Sequence, residues 1–348
     1  MLKLIKKAVN QIGFSRLIIG IFLIVFINAA VVLDLPIFML LSDMLVRIGM
    51  NIVLVLALVP AIKVGTGLNF ALPLGIVCGL IGAIVSIDQG YSGLFSFVIA
   101  LVVAIPLAVI FGYLYGLLLN KIKGDEMTVG TYVGFSIVSG MCIFWLVAPF
   151  TNPEIVWAFG GVGVRNTVLL SSSFEKILNN FLIFNVGQIE IPTGLFLFSF
   201  LLCLMVWVFG KTKIGNSMHI AGSNPRFALS CGISVNNMRI LGTVISTVLA
   251  GIGILVYAQS FGFVQLYQAP LMMAFPAVAA ILIGGATPGR AEISHVIVGT
   301  ILFQAVLVVS SPVINVLIEG SFSEIFRGLI SNGVILYALS MKTTGGGS

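Results

Sequence analysis

The chain has 348 residues, of which 59% are hydrophobic and 8% are charged, and its formal net charge at pH 7 is +6. Soluble proteins carry about 25% charged residues, so this composition excludes a soluble globular protein. The length would suit two soluble domains, but apolar runs of about 20 residues with short connections predict one all-α membrane domain. We therefore expect a polytopic integral membrane protein with about ten transmembrane helices. Residues 1–342 would form this single transmembrane domain.

The basic residues lie beside the ends of the apolar runs, which explains the net charge by topology and argues against a nucleic-acid partner. With the N-terminus inside, 13 of the 17 lysine and arginine residues fall on the cytoplasmic side. The four exceptions are Arg47, Arg165, Lys176 and Arg327. This bias predicts that both termini are cytoplasmic and that membrane lipid surrounds the spans.

Ten apolar runs are predicted to span the membrane. In chain order they cover residues 14–33, 36–59, 70–87, 94–119, 127–148, 192–209, 238–258, 271–285, 293–309 and 326–341. The first run is too long for the core of a signal peptide, so we expect it to be a span. Residues 149–191 form the longest external segment, which holds an amphipathic helix near residues 174–182, a landing surface for another protein, or both. A further external turn is expected at residues 310–312, and residues 343–348 should form a flexible tail or linker.

Residues 59–75 interrupt the apolar pattern with two prolines and three glycines, which bracket Lys63, Thr66 and Asn69. A continuous lipid-facing helix here would leave backbone groups unpaired in hydrocarbon. Irregular backbone is tolerated at membrane depth only where it is buried in protein or lines a cavity. Two interpretations remain open: a broken or re-entrant segment beside a transport pathway, or an ordinary cytoplasmic turn between two spans.

Residues 211–237 form a polar, basic interruption between two long apolar runs. Asn224 followed by Pro225 predicts an N-cap and a first helical residue, because the Asn side chain can accept from free amides and Pro needs no donor there. The helix should end near Cys231 and Gly232, where glycine suits the residue after the helix. Two turns are too short to be stable alone in water, so this helix needs a surface on which to dock.

The run from His219 to Ile233, HIAGSNPRFALSCGI, resembles the cytoplasmic coupling loop of permease subunits in ATP-binding-cassette (ABC) importers, in the branch that carries ribose and other simple sugars. A second block, AAILIGGAT from Ala279 to Thr287, is similar to a later stretch of the same permease superfamily for branched-chain amino acids and sugars. The resemblance covers roughly residues 46–341. It implies a multi-pass protein of the bacterial cytoplasmic (inner) membrane.

The resemblance also implies partners and a coupling site. Two separate ATPase subunits would bind ATP and Mg²⁺, a second permease copy or a paralogue would complete the pore, and an extracytoplasmic solute-binding protein would deliver the solute. This chain would carry no cofactor, no metal and no catalytic residue. Its Gly210-Lys211-Thr212 lacks the preceding glycine of a phosphate-binding loop, since position 205 is Met. The residues implied for coupling are Ala221, Gly222, Ser223, Asn224, Pro225, Arg226, Phe227, Ala228, Ser230 and Gly232.

The candidate pathway residues are Asn51, Thr66, Asn69 and Phe70, because polar groups beside an aromatic ring can bind a small neutral polar solute. The family default is a simple sugar. The family usually has an acidic residue near position 67, which VGTGLNFA lacks here, so a nucleoside or a related heterocycle stays open. An ion-coupled secondary transporter is the alternative of a different class. It is disfavoured because nearly every Asp and Glu lies at a predicted span end.

Overall fold

The computed structural model describes residues 14–157, 163–287, 289–317 and 322–340. The predicted tail at residues 343–348 and the basic residues before Phe14 lie outside these ranges. The described chain is a bundle of helices with four short strands. The helices that precede the first strand are α1 Phe14–Val32, α2 Ile37–Leu56, α3 Leu58–Lys63, α4 Leu72–Asp88, α5 Gly93–Lys121 and α6 Glu126–Val147.

The middle of the chain contains three strands, three short helices and one long helix, α8. In order they are β1 Thr167–Leu169, α7 Ile177–Asn180, β2 Ile183–Val186, β3 Ile189–Pro192, α8 Thr193–Lys211, α9 Lys213–Ser223 and α10 Pro225–Ser230. The last part contains α11 Val235–Phe261, β4 Phe263–Gln265, α12 Ala269–Ile283, α13 Ile293–Leu317 and α14 Phe322–Ser340.

Six of the described helical segments are long and apolar enough to cross a membrane. They are Ile37–Lys63, Gly93–Lys121, Glu126–Val147, Thr193–Lys211, Val235–Phe261 and Ile293–Leu317. Three further apolar helices are shorter, at Arg16–Val32, Leu72–Asp88 and Ala269–Ile283. The all-α, polytopic architecture is confirmed, whereas the expected count of about ten spans is not. A helix rises about 1.5 Å per residue, so the shorter helices reach less than the ~30 Å thickness of the hydrocarbon core.

The centre of the bundle is built on α4 and α11, and α4 is buried along almost its whole length. Glycines allow these two helices to approach closely. A Cβ atom at Gly75 would lie 2.6 Å from the Cβ of Ala250, and one at Gly79 would lie 3.2 Å from the carbonyl carbon of Gly251. Small residues at such crossings permit van der Waals packing of backbones, which stabilises helix pairs in lipid.

The segment between α2 and α4 is a helix break followed by a reversal of the chain. Pro60 would clash with the carbonyl of Leu56 in a continuous helix, and α2 ends at Leu56. After α3, Gly65 and Gly67 adopt positive φ angles of 80° and 76°, and the chain turns back into α4. α2 and α3 together form one apolar segment of 27 residues, and the irregular stretch that follows is buried, with Thr66 and Asn69 only 5% and 6% exposed.

Two predictions for the connecting segments are wrong. The amphipathic helix expected near residues 174–182 is reduced to the four residues of α7, and the following chain forms an antiparallel hairpin of β2 and β3. The external turn expected at residues 310–312 is helical, because α13 continues through Pro312 to Leu317. Pro312 lacks an amide donor and its ring crowds the carbonyl of Val308, yet the helix continues past it.

The bundle has two distinct ends. The hairpin end carries the β2–β3 hairpin, and β1 pairs with β4 on the same side. The basic end carries the segment of residues 211–232, together with nine of the twelve Lys and Arg residues whose side chains are described. These nine are Arg16, Lys63, Lys121, Lys123, Lys211, Lys213, Arg226, Arg239 and Arg290.

A buried ion pair stabilises the basic end. The Arg239 guanidinium donates to the Glu126 carboxylate at 2.7 Å, and their side chains are only 10% and 15% exposed. The same guanidinium donates to the carbonyl of Leu119 at 3.1 Å. This arrangement ties α11 to the end of α5 and the start of α6.

Candidate functional site

The polar segment of residues 211–232 folds as two helices, α9 and α10, rather than as a loop with one helix. The predicted helix is confirmed as α10, which begins at Pro225 and ends at Ser230. Asn224 is its N-cap, because its Oδ1 accepts from the amide of Phe227 at 3.0 Å. Gly232 has a φ of 72°, as expected for the residue that terminates the helix.

Sequence reasoning missed α9. Thr212 caps this helix by accepting from the amide of Gly215 at 3.2 Å. Its buried residues are Gly215, Met218 and Ala221, spaced three apart. The N-cap threonine followed by this stripe of small or apolar residues is a local signal that could have identified it.

One face of α10 is anchored and the other is exposed. Ala228 is fully buried against Ala221 and Val235, which fixes α10 on α9 and α11. Phe227 and Leu229 are 54% and 64% exposed. Arg226 is exposed beside them. Leu229 was not among the expected coupling residues, although it adds to the same apolar surface.

The C-terminal end of α9 contacts the turn that follows α3, backbone against backbone. A Cβ atom built on Gly65 would lie 3.0 Å from the Cα of Gly222. One built on Gly222 would lie 2.8 Å from the nitrogen of Gly65 and closer still to the carbonyl oxygen of Lys63. No side chain fits at either position without separating the two segments. The candidate coupling segment is therefore in direct contact with the end of the α2–α3 span.

The four candidate pathway residues lie in two places. Thr66, Asn69 and Phe70 are together in the turn before α4, whereas Asn51 lies on α2. The Thr66 hydroxyl donates to the carbonyl of Ala61 at 2.9 Å, and the Asn51 amide donates to the carbonyl of Arg47 at 2.8 Å.

Asn69 has structural partners on both sides. Its amide nitrogen donates to the Ser246 hydroxyl on α11 at 2.9 Å, and its oxygen accepts from the amide of Ala71 at 3.0 Å. The ring of Phe70 lies 6.0 Å from that of Phe275, between centroids. None of the four candidate pathway residues lines either of the two cavities described below.

The hairpin-end cavity has a volume of about 480 Å³ and lies between α2, the β2–β3 hairpin and the end of α11. Four charged side chains line it, namely Asp43, Arg47, Lys176 and Glu190. Two buried polar side chains line it as well, Asn179 and Ser260, and the Ser260 hydroxyl donates to the Asn179 oxygen at 2.9 Å. The charges balance, so the lining offers hydrogen-bond donors and acceptors without a net charge.

The basic-end cavity has a volume of about 750 Å³ and lies between the end of α3, the α8–α9 junction and the start of α13. Lys63, Lys211, Arg290 and Glu292 supply its charged groups. Arg290 donates to the Glu292 carboxylate at 2.8 Å, and this hydrogen bond holds the pKa of Glu292 below its ordinary value. The two lysines therefore leave the cavity with an excess of positive charge.

Comparisons with known proteins agree with this architecture. The chain is similar to the autoinducer 2 import system permease protein LsrC of Yersinia pestis, with 26% identity over 223 residues. The match covers 61% of this chain and 59% of the relative. LsrC of Yersinia pseudotuberculosis matches over the same length with 25% identity. No solved structure matches the chain.

The family comparison covers most of the chain. Residues 40–339 match the family described as branched-chain amino acid transport system, permease component. This range contains α9 and α10, the turn after α3 and both cavities. It confirms the resemblance deduced from the coupling segment and makes the protein a membrane component of a transporter rather than an enzyme. The chain belongs to the permease component family of branched-chain amino acid transport systems.

Proposed function

We propose that the chain forms part of the pathway of an ABC importer for a small neutral polar solute and that separate ATPase subunits drive it through α10. The observation that carries this proposal is the placement of α10, which is exposed on one face and joined through α9 to the turn at Gly65. ATP and Mg²⁺ would be bound by the ATPase subunits.

The exposed face of α10 suits a protein partner. Phe227 and Leu229 present apolar surface beside Arg226, at an end of the bundle that is rich in charged residues. Apolar side chains at a polar end gain free energy when a partner covers them, by about 25 cal/mol per Å². An apolar groove with acidic groups at its rim, on the ATPase subunit, would complement this face.

The backbone contact at Gly222 gives docking a mechanical consequence. A displacement of α10 moves α9, because Ala228 is buried against Ala221. The end of α9 has no side chain between it and Lys63 or Gly65, so the displacement reaches the α2–α3 span directly. Closely packed interfaces transmit such shifts because they have no free volume in which to absorb them.

The proposal assigns the basic end to the cytoplasm of a bacterial cell with an inner membrane. Nine of the twelve Lys and Arg side chains that the structure describes lie at this end, and basic residues are retained on the cytoplasmic side of membranes. Both termini would then be cytoplasmic. The hairpin end would face outward and receive the extracytoplasmic solute-binding protein, and a second permease, identical or related, would complete the pore.

We place the entry of the solute at the hairpin-end cavity. Its volume of about 480 Å³ lies within the range of about 300–1,000 Å³ for small-molecule sites, and its charges balance. The relatives named above import autoinducer 2, which supports a small solute. A simple sugar is our first candidate, and a nucleoside or a related heterocycle is the second.

The test is a charge reversal on α10. In the complex purified in mild detergent, Arg226→Glu with Phe227→Glu should abolish co-purification of the ATPase subunits and solute-stimulated hydrolysis. Lys123→Glu reverses a charge at the same end, outside α10, and should leave both unchanged. Unaltered stimulated hydrolysis in the α10 variant would refute the docking role. Solute uptake by the chain alone in liposomes under an ion gradient would show a secondary transporter instead.

A further inference from the structure

An exposed stripe on α8 leads into the basic-end cavity. Phe200, Leu204, Trp207 and Lys211 are spaced four, three and four residues apart, which puts them on one face of the helix. Phe200, Leu204 and Trp207 are 64%, 45% and 53% exposed. At the end of the stripe, the Lys211 ammonium lies 5.8 Å from the centre of the Trp207 ring.

The cavity at the end of this stripe has more positive than negative groups, with Lys63, Lys211 and Arg290 against Glu292. Within the described part of the chain, Lys63 and Lys211 form no ion pair, and Arg290 is already paired with Glu292. Lys63 lines the cavity and its side chain is half-buried, so its ammonium lies at the cavity wall rather than in open solvent.

Two helices also begin at the cavity. Gly215 and Asn216 belong to the first turn of α9, and Ile293 and Ser294 begin α13. The first four amides of a helix have no partner within it, and they carry a partial positive charge. In α9 the Gly215 amide donates to the Thr212 hydroxyl and the Asn216 amide to the Thr212 carbonyl. The amides that add to the attraction of the lysines for an anion are therefore those of Ile293 and Ser294, at the start of α13.

We propose that the basic-end cavity binds the phosphodiester headgroup of an anionic phospholipid, with an acyl chain along the α8 stripe. Free phosphate or a nucleotide could use the lysines, but neither has a use for Phe200 and Leu204. The amphipathic Trp207 ring lies between the apolar stripe and the charged groups, as tryptophans do at the membrane interface. Basic pockets between transmembrane helices suit anionic headgroups. This site does not depend on the transport function proposed above.

The test measures lipid binding to the purified protein by native mass spectrometry. Phosphatidylglycerol and phosphatidylcholine with identical acyl chains are titrated separately. The wild type should bind phosphatidylglycerol more tightly. Lys63→Gln with Lys211→Gln should weaken that binding by roughly thirtyfold, since each basic residue near an anionic lipid contributes about fivefold. Lys121→Gln with Lys123→Gln removes two lysines at the same end, outside the cavity, and should retain the wild-type affinity.

Competitors separate the two sources of phosphate. Inorganic phosphate and glycerol 3-phosphate at millimolar concentration should not displace the lipid, because neither occupies the α8 stripe. Displacement by either would overturn the lipid assignment in favour of a soluble phosphate compound. Equal affinity for the two lipids, or equal loss in the two double variants, would overturn the site. Thermal unfolding without added lipid should give the same Tm for both double variants. If only Lys63→Gln with Lys211→Gln lowers the Tm, its weaker lipid binding comes from lost stability, and the assignment of these two lysines to the headgroup is overturned.

Discussion

Replacing Gly222 with alanine tests whether the contact between α9 and the turn after α3 couples the two segments. The new Cβ would lie 2.8 Å from the nitrogen of Gly65 and from the carbonyl carbon of Val64. A Cβ atom normally lies 3.4 Å or more from a heavy atom that it is not bonded to. The backbone of α9 and that of the turn after α3 must therefore separate by at least 0.6 Å. The atoms involved are backbone atoms, which cannot rotate away as a side chain does.

The expected cost follows from two opposing terms. Overpacking typically destabilises by about 1–3 kcal/mol. Alanine in place of glycine within a helix stabilises by about 1 kcal/mol. The difference is a net loss of up to about 2 kcal/mol. With an unfolding entropy of about 2.1 cal/mol/K per residue, each kcal/mol lowers the Tm of a chain of 348 residues by roughly 1–2 °C.

The assay compares Gly222→Ala with Gly140→Ala, a helical glycine whose added Cβ would meet no atom within 4 Å. Gly140→Ala should keep or raise the Tm and leave solute-stimulated ATP hydrolysis intact. Gly222→Ala should lower the Tm and reduce the stimulation, with the ATPase subunits still bound. If Gly222→Ala matches Gly140→Ala in both measurements, the contact does not transmit motion and the reasoning fails.

Three further predictions concern the cap, the ion pair and the hairpin-end cavity. Asn224→Ala removes the acceptor that caps α10 and should destabilise that helix by about 1 kcal/mol, seen as faster amide hydrogen exchange confined to it; unchanged exchange would show that the cap is dispensable. Arg239→Met leaves the partly buried carboxylate of Glu126 without its partner and should cost less than the about 3–5 kcal/mol of a fully buried pair, measured as a lower Tm. Adding Glu126→Gln should recover most of that loss. Asp43 lines the hairpin-end cavity, and Asp43→Asn should raise the KM for solute uptake. Asp34 is exposed and lies outside the cavity, so Asp34→Asn should leave the KM unchanged. Equal KM values for the two variants would argue against this cavity as the entry site.

Local signals predicted the elements that local interactions stabilise. The apolar run at residues 94–119 became α5, Gly93–Lys121, because the length of an apolar run and the cost of unpaired backbone groups in lipid decide such a helix. Asn224 and Pro225 predicted α10 because an N-cap bond joins residues only three apart. The family also follows from this short stretch.

The functions of the polar residues in the turn after α3 could not be predicted in the same way. From the sequence alone, the Asn69 side chain is a candidate for solute binding. In the folded protein its amide nitrogen donates to Ser246, and its oxygen accepts from the amide of Ala71. Ser246, one of those partners, is 177 residues away along the chain. The role of a buried polar group depends on which groups surround it, and no local pattern specifies them.

The sequence by itself determined that this is a helical membrane protein of a transporter family, with a short capped helix in a basic segment. Hydropathy and capping act over a few residues, so they can be recognised without a fold. Only the tertiary structure decided that Gly222 meets Gly65, that Arg239 is buried against Glu126, and that an exposed stripe of α8 leads to a cavity lined by lysines. These features depend on close packing between segments distant in sequence, and the path of the whole chain sets that packing.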